Sequence, residues 1–136
     1  MYYLNIILYI YTNIHMSDNC YTEYFLGLLG QIKLFHWSIM KYSIHIALDK
    51  LHTELSDNID KFVEIYIGKF NKQPLNNFTI NMTATSDCNN LYSYLDNNRE
   101  QLKKIRTSLN KTSELQNIID EMLGNIDQCI YLIKLE

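Results

Sequence analysis

The sequence predicts an all-α chain, a four-helix bundle made of two helical hairpins joined by one long crossover, on three observations. First, its 136 residues are 47% hydrophobic and 20% charged, with one proline and four glycines. That is too few turn formers for a sandwich of short strands and too much apolar content for disorder. Second, apolar residues recur in steps of three and four through four stretches, the period of one helix face. Third, the gaps between stretches run short, long, short, and short gaps force antiparallel neighbours. At this length the chain builds one core and one domain.

The first helix, about 18–40, is marked by Tyr21, Phe25, Leu28, Ile32, Phe35 and Ile39. Gly27 and Gly30 on it would let a neighbouring helix approach closely, at some cost in propensity. The second, about 43–68, follows after almost no loop. Its face is Leu48, Leu51, Leu55, Ile59, Phe62 and Tyr66, and Gly68 suits its C-terminal cap. Residues 69–85 carry Pro74, the only proline, and several turn-forming asparagines, and read as the crossover. Leu91, Leu95, Leu102, Ile105 and Leu109 define the third helix, about 86–109. Leu115, Ile118, Ile119, Met122, Ile126, Ile130 and Ile133 define the fourth, about 113–134, with Ser113-x-x-Gln116 as a capping box at its start. Two short-looped hairpins with one long crossover is the ferritin-like variant of the bundle.

Residues 1–15 are an apolar leader or a mis-assigned start. The run Met1–Tyr11 is about half the ~20 residues that a membrane span needs, and it lacks the basic flank and cleavage site of a signal peptide. Met16 offers a second start, with Ser17 or Asp18 as N-cap. Cys20, Cys88 and Cys129 stand far apart with no C-x-x-C pair, which excludes a zinc ribbon or thioredoxin motif and fits a reducing compartment, the cytoplasm, with no secretion. The net charge of −3 excludes the broad cationic surface of a non-specific nucleic-acid binder. The basic group Lys103, Lys104 and Arg106 is a solvated face, too small for a DNA site.

The chemistry lies on the second helix. At 100° per residue His45, Asp49, Ser56, Asp60 and Glu64 share one stripe about 100° wide, turned about 120° from the leucine face. His45 and Asp49 form an i,i+4 pair able to hold a metal ion, and Asp60 and Glu64 form another. Two carboxylates at that spacing repel unless a cation compensates them; the plain alternative is a solvated face beside an Asp57–Lys61 ion pair. The pairs stand about 22 Å apart along the helix, so they cannot share an ion within one chain. A second copy packed antiparallel about an axis near Glu54 and Leu55 would bring His45 and Asp49 of one chain to Asp60 and Glu64 of the other. His36 falls at the same level, because folding the hairpin around Lys41 sets position 36 opposite about 46. Mixed imidazole and carboxylate donors suit iron, manganese or zinc. In the fourth helix Asp120 and Glu121 diverge by about 100°, and the chain holds no Glu-x-x-His to complete an intra-bundle site.

The segment Leu34-Phe-His36-Trp37, followed by His45-x-x-x-Asp49 and Asp60-x-x-x-Glu64, resembles the ferroxidase signature of the Dps mini-ferritins over roughly residues 25–68. The resemblance implies a homodimer or higher oligomer that binds Fe(II) and oxidises it with peroxide or oxygen. His36, His45 and Asp49 would be ligands from one subunit, and Asp60 and Glu64 from its two-fold mate. Trp37 would pack beside the site and His52 would lie at its edge. The lysine-rich tail with which that family binds DNA has no counterpart here. The string Asn117-Ile-Ile-Asp-Glu-Met-Leu-Gly, with the His-Trp region, also resembles uncharacterised small proteins of giant viruses and phages, which implies host cytoplasm or virion as the setting. The alternative expectation is a metal-free bundle that serves as a structural or interaction protein.

Overall fold

The computed structural model describes residues 20–72 and 77–135. Within them the chain forms four helices and no strand: α1 Cys20–Ser38, α2 Tyr42–Phe70, α3 Cys88–Ser108 and α4 Ser113–Ile133. The leader, both candidate starts with the cap at Ser17 or Asp18, and Pro74 lie outside the described residues. The predicted stripes of α1, α2 and α3 are buried throughout, and in α4 Cys129 takes the inward place while Ile130 is half-buried. Burial pushes the Cys129 thiol up to about 12, with Glu54 adding to the shift.

Cross-helix contacts set the directions. Tyr21 Oη meets Ser108 Oγ at 3.2 Å and the Phe35 ring lies 5.3 Å from Tyr94, so α1 and α3 run antiparallel. Lys50 donates to Gln128 and Asn58 to Asn125, both at 2.9 Å, and Lys69 pairs with Glu114, so α2 and α4 run antiparallel too. With both hairpins antiparallel, α3 begins at the end of the bundle where α2 began, and the crossover has to climb the full length. This is the ferritin-like connectivity.

The climb follows α1. Gln31, almost fully buried, donates through Nε2 to the Thr83 carbonyl and accepts from the Thr83 N–H, both at 2.9 Å. One side-chain amide thereby satisfies both backbone groups of a crossover residue. A Cβ on Gly30 would stand 2.8 Å from Met82 Sδ, and one on Gly27 3.9 Å from Ile80. These glycines admit the crossover, where a neighbouring helix was expected. Gly124, inside α4, has no atom within 4 Å of a Cβ position. Gly124→Ala is therefore expected to stabilise by about 0.5–1 kcal/mol from helix propensity, read as a higher urea midpoint at unchanged m-value. Gly30→Ala should lose that gain against Met82.

Two expected caps are replaced. α2 runs past Gly68 to Phe70, and Asn71 closes it in the left-handed region (φ 51°), its N–H bonded to the Ile67 carbonyl. Asparagine is the non-glycine residue that takes this conformation most readily. At α4 the N-cap is Thr112. Ser113 is already helical, and Gln116 reaches back to the Arg106 carbonyl (3.1 Å), so no capping box forms. The Asp87 carboxylate caps α3 by accepting from the Asn89 N–H at 2.9 Å.

Candidate metal centre

The tight turn between α1 and α2 sets His36 in the last turn of one helix beside His45 in the first turn of the next. Their rings stack, with centroids 3.7 Å apart and 20° between planes. His36 Nδ1 lies 2.9 Å from the His45 carbonyl, and His45 Nδ1 lies 3.0 Å from the His36 carbonyl. A carbonyl only accepts, so each Nδ1 carries the proton and donates. His45 thereby satisfies one of the carbonyls that the end of α1 leaves without a helical partner. In the neutral ring Nε2 then carries the lone pair, and it has no protein partner among the described residues. A hydrogen bond from Nδ1 to a carbonyl is also what fixes the orientation of a metal-ligating histidine. His36 is 7% exposed and His45 half-buried, so the pair sits at the edge of the core with limited solvent access.

One turn further along each helix, Lys33 Nζ lies 3.5 Å from Asp49 Oδ1. His52 is one turn beyond Asp49. Burial holds its imidazole below the ordinary histidine range, the Lys33 charge adds to this, Asp49 opposes it, and His36 lowers it further. Lys33, His36, His45, Asp49 and His52 thus form one polar cluster along the α1–α2 seam. The hairpin register that sets 36 against 45 also sets 33 against 49, which is the signal that could have pointed to Lys33. Sequence reasoning passed it over.

Not every candidate joins the cluster. Asp60 and Glu64 are exposed on the far half of α2, too distant along the helix to meet His45 within one chain. Among the described residues no three His, Cys, Asp or Glu side chains converge as a metal site; Asp49 leans on Lys33 instead. Trp37 is 66% exposed, because His36 takes the inward position and the next residue is carried 100° around the helix. Asp57–Lys61 is not among the ion pairs of the described residues, and the i,i+4 pair on α2 is Lys50–Glu54 at 3.6 Å. Asp120 is held by both Nε and Nη2 of Arg106 (2.6 and 3.2 Å), so it faces α3 and not the bundle interior. Lys103 pairs with Glu100 (2.9 Å), and the basic group is a solvated face.

A family model described as a family of unknown function, DUF5856, matches residues 36–133. The chain belongs to that family. The DUF5856 match begins at His36 itself and takes in the whole of α2, α3 and α4, so both histidines of the clasp and the acidic face of α2 lie within it. Lys33 lies just before it. No curated protein and no solved structure matches this DUF5856 chain. None of its described helices is long and apolar enough to cross a membrane.

Proposed function

We propose that this protein is a Dps-like metal-binding bundle that takes up Fe(II) and oxidises it at a site completed by two copies of the chain. His36, His45 and Asp49 come from one copy, and Asp60 and Glu64 from the other. The observation that carries the reading is the reciprocal clasp, which commits both Nδ1 atoms to backbone carbonyls and leaves both Nε2 atoms without a protein partner among the described residues. Two imidazoles and three carboxylates suit iron, and also zinc or manganese. Hard anionic oxygens favour Fe(III) over Fe(II), so the carboxylates would lower the potential of the bound iron and ease its oxidation by peroxide. Each Fe(II) gives up one electron; a peroxide takes two, with two protons, and leaves as two waters. The setting is the reducing cytoplasm, of a host cell if the chain is viral.

The reading calls for a second copy because Asp60 and Glu64 lie too far along α2 to meet His45 within one chain; these carboxylates have no basic partner among the described ion pairs, and a cation would relieve their repulsion. The test uses complementation. His45→Ala and Asp60→Ala should each abolish peroxide-dependent Fe(II) oxidation and metal retention, since each damages both sites of a two-fold dimer. Mixing the two variants should restore about a quarter of wild-type capacity, because half the dimers are mixed and each of those has one intact site. A protein that retains no metal after Fe(II) soaking, or that stays monomeric with it, overturns the proposal.

A second reading rests on one observation. Trp37 (66% exposed), Met40 (90%) and Tyr42 (81%) crowd the tip of the α1–α2 hairpin, an apolar surface of the kind that marks interaction sites. It favours a metal-free bundle that acts as a structural or interaction protein, for which neither substitution would matter to assembly.

A further inference from the structure

We propose that Met82 is an oxidation-sensitive latch on the crossover: hydrogen peroxide converts its thioether to the sulfoxide, and the sulfoxide releases residues 80–83 from α1. The latch works whether or not the protein binds iron. Residues 77–79 and 81–84 are exposed and Ile80 is half-buried, so this extended segment has little of its own to hold it down. Adjoining contacts with α1 fasten it. Ile80 Cγ2 lies 3.9 Å from the Cβ position of Gly27, and Met82 Sδ and Cε lie 2.8 and 3.7 Å from that of Gly30. One residue on, the almost fully buried Gln31 amide holds both backbone groups of Thr83. The sulfur therefore rests in a notch that is open because residue 30 has no side chain, next to the hydrogen bonds that close the strap.

Met82 is 49% exposed, which lets a small oxidant reach a sulfur that is packed on one side. Met40 is more exposed but stands in the α1–α2 turn, and Met122 is fully buried in the core. Met82 combines access with a packed seat. In the reaction a lone pair on Sδ attacks one peroxide oxygen. The S–O bond forms, the O–O bond breaks, the sulfur is oxidised by two electrons, and the other oxygen takes up the proton and leaves as water. A flexible apolar side chain becomes a polar one. The added oxygen needs space and a hydrogen-bond donor, yet the seat is tight enough that even a Cβ on Gly30 would displace the sulfur. The α1 backbone donors beneath it are engaged within the helix. The oxygen is satisfied by turning out to water, which lifts the sulfur from Gly30, and the adjoining Thr83–Gln31 hydrogen bonds then open more often. Opening uncovers the α1 face around Gly27 and Gly30 while the four-helix core stays intact, and reduction of the sulfoxide restores the latch.

The Thr83 N–H reports the latch directly, because it donates to Gln31 in the closed form. Its hydrogen-exchange rate is measured by NMR on the full chain before and after treatment with hydrogen peroxide, in wild type, Met82→Leu and Met82→Gln, with mass spectrometry to locate the sulfoxide. Met82 should oxidise well before Met122. Oxidation should speed Thr83 exchange on the order of tenfold, while the Leu28 and Leu55 amides keep their protection. Met82→Leu keeps the apolar contact, so peroxide should leave its Thr83 exchange unchanged. Met82→Gln, polar from the outset, should exchange fast without peroxide. Slow Thr83 exchange in the oxidised wild type or in Met82→Gln overturns the proposal, as does an unprotected Thr83 amide in the untreated protein. Peroxide-accelerated exchange in Met82→Leu also overturns it, because the cause then lies at another residue. Met82 is on the surface, so each variant should fold, and the core amides confirm it in the same spectra.

Discussion

Phe62→Ala is expected to lower the free energy of unfolding by about 3–5 kcal/mol, the largest effect of any single substitution considered for this chain. Phe62 is fully buried at the end of the bundle where four aromatic rings meet. Its centroid lies 5.0 Å from Phe25 at 68° and 5.6 Å from Tyr21 at 67°, and the Tyr66 ring stacks at 6.3 Å. Edge-to-face pairs of this kind add about 0.5–1.5 kcal/mol each beyond their buried area. Truncation leaves a cavity that three other rings cannot all close at once, and the cost of such a cavity grows with its residual volume. Domains of this size have about 5–15 kcal/mol in total, so the variant should be close to unfolding at 37 °C. Urea denaturation followed by circular dichroism measures it. Phe62→Leu, which keeps most of the volume, should cost markedly less, and Phe78→Ala on the exposed part of the crossover should stay within about 0.5 kcal/mol of wild type. A Phe62→Ala midpoint equal to that of Phe78→Ala would contradict the packing described for this end of the bundle.

The helix faces were legible because burial enforces a period. Once Leu48, Leu51, Leu55, Ile59, Phe62 and Tyr66 have to share a core, few other patterns satisfy them. The opposition of His36 and His45 was legible for a related reason: a turn this short leaves little freedom in register. What was not legible depends on partners that sequence does not name. Gly27 and Gly30 signal only that something comes close, and whether it is a helix or an extended crossover depends on where residues 80–83 travel. Gly68 and Asn71 can both adopt the left-handed cap, and the choice falls to Asn71 because the contact between the Tyr66 and Phe70 rings (4.8 Å) carries α2 onward. Trp37 stands 66% exposed at the hairpin tip, because its neighbour His36 already occupies the inward angle, and that depends on the helix phase rather than on residue type. The polar pins are similar. Asn58 with Asn125, and Tyr24 donating to Asn98 at 2.7 Å, sit among apolar neighbours and are intelligible only once both partners are placed. Burial keeps the Tyr24 hydroxyl protonated well above its ordinary range, with Tyr94 adding to the shift, so it remains a donor.

His45→Ala should destabilise the metal-free protein by about 1–3 kcal/mol, whatever the outcome for metal. The substitution removes a donor from the His36 carbonyl at the end of α1 and strips the stacked neighbour from a His36 that is 7% exposed. The His36 Nδ1–H keeps its own acceptor, because that acceptor is the backbone carbonyl of residue 45, which alanine retains. The loss is therefore one hydrogen bond and one ring contact, and the hairpin should still close. His36→Ala removes the complementary bond and leaves the larger void, since His36 is the more buried of the two, so it should cost more. This ordering separates the two roles that the clasp can play. A purely structural clasp predicts that chelator leaves the wild-type melting temperature unchanged and that both variants fall below it by the same amounts with or without added Fe(II). A ligand role predicts that Fe(II) raises the wild-type melting temperature in proportion to the logarithm of its concentration, as binding to the folded state alone requires, and leaves both variants where they were. Asp60→Ala supplies the control, because its carboxylate is exposed and far from the clasp. It should melt like wild type without metal and fail to gain with it.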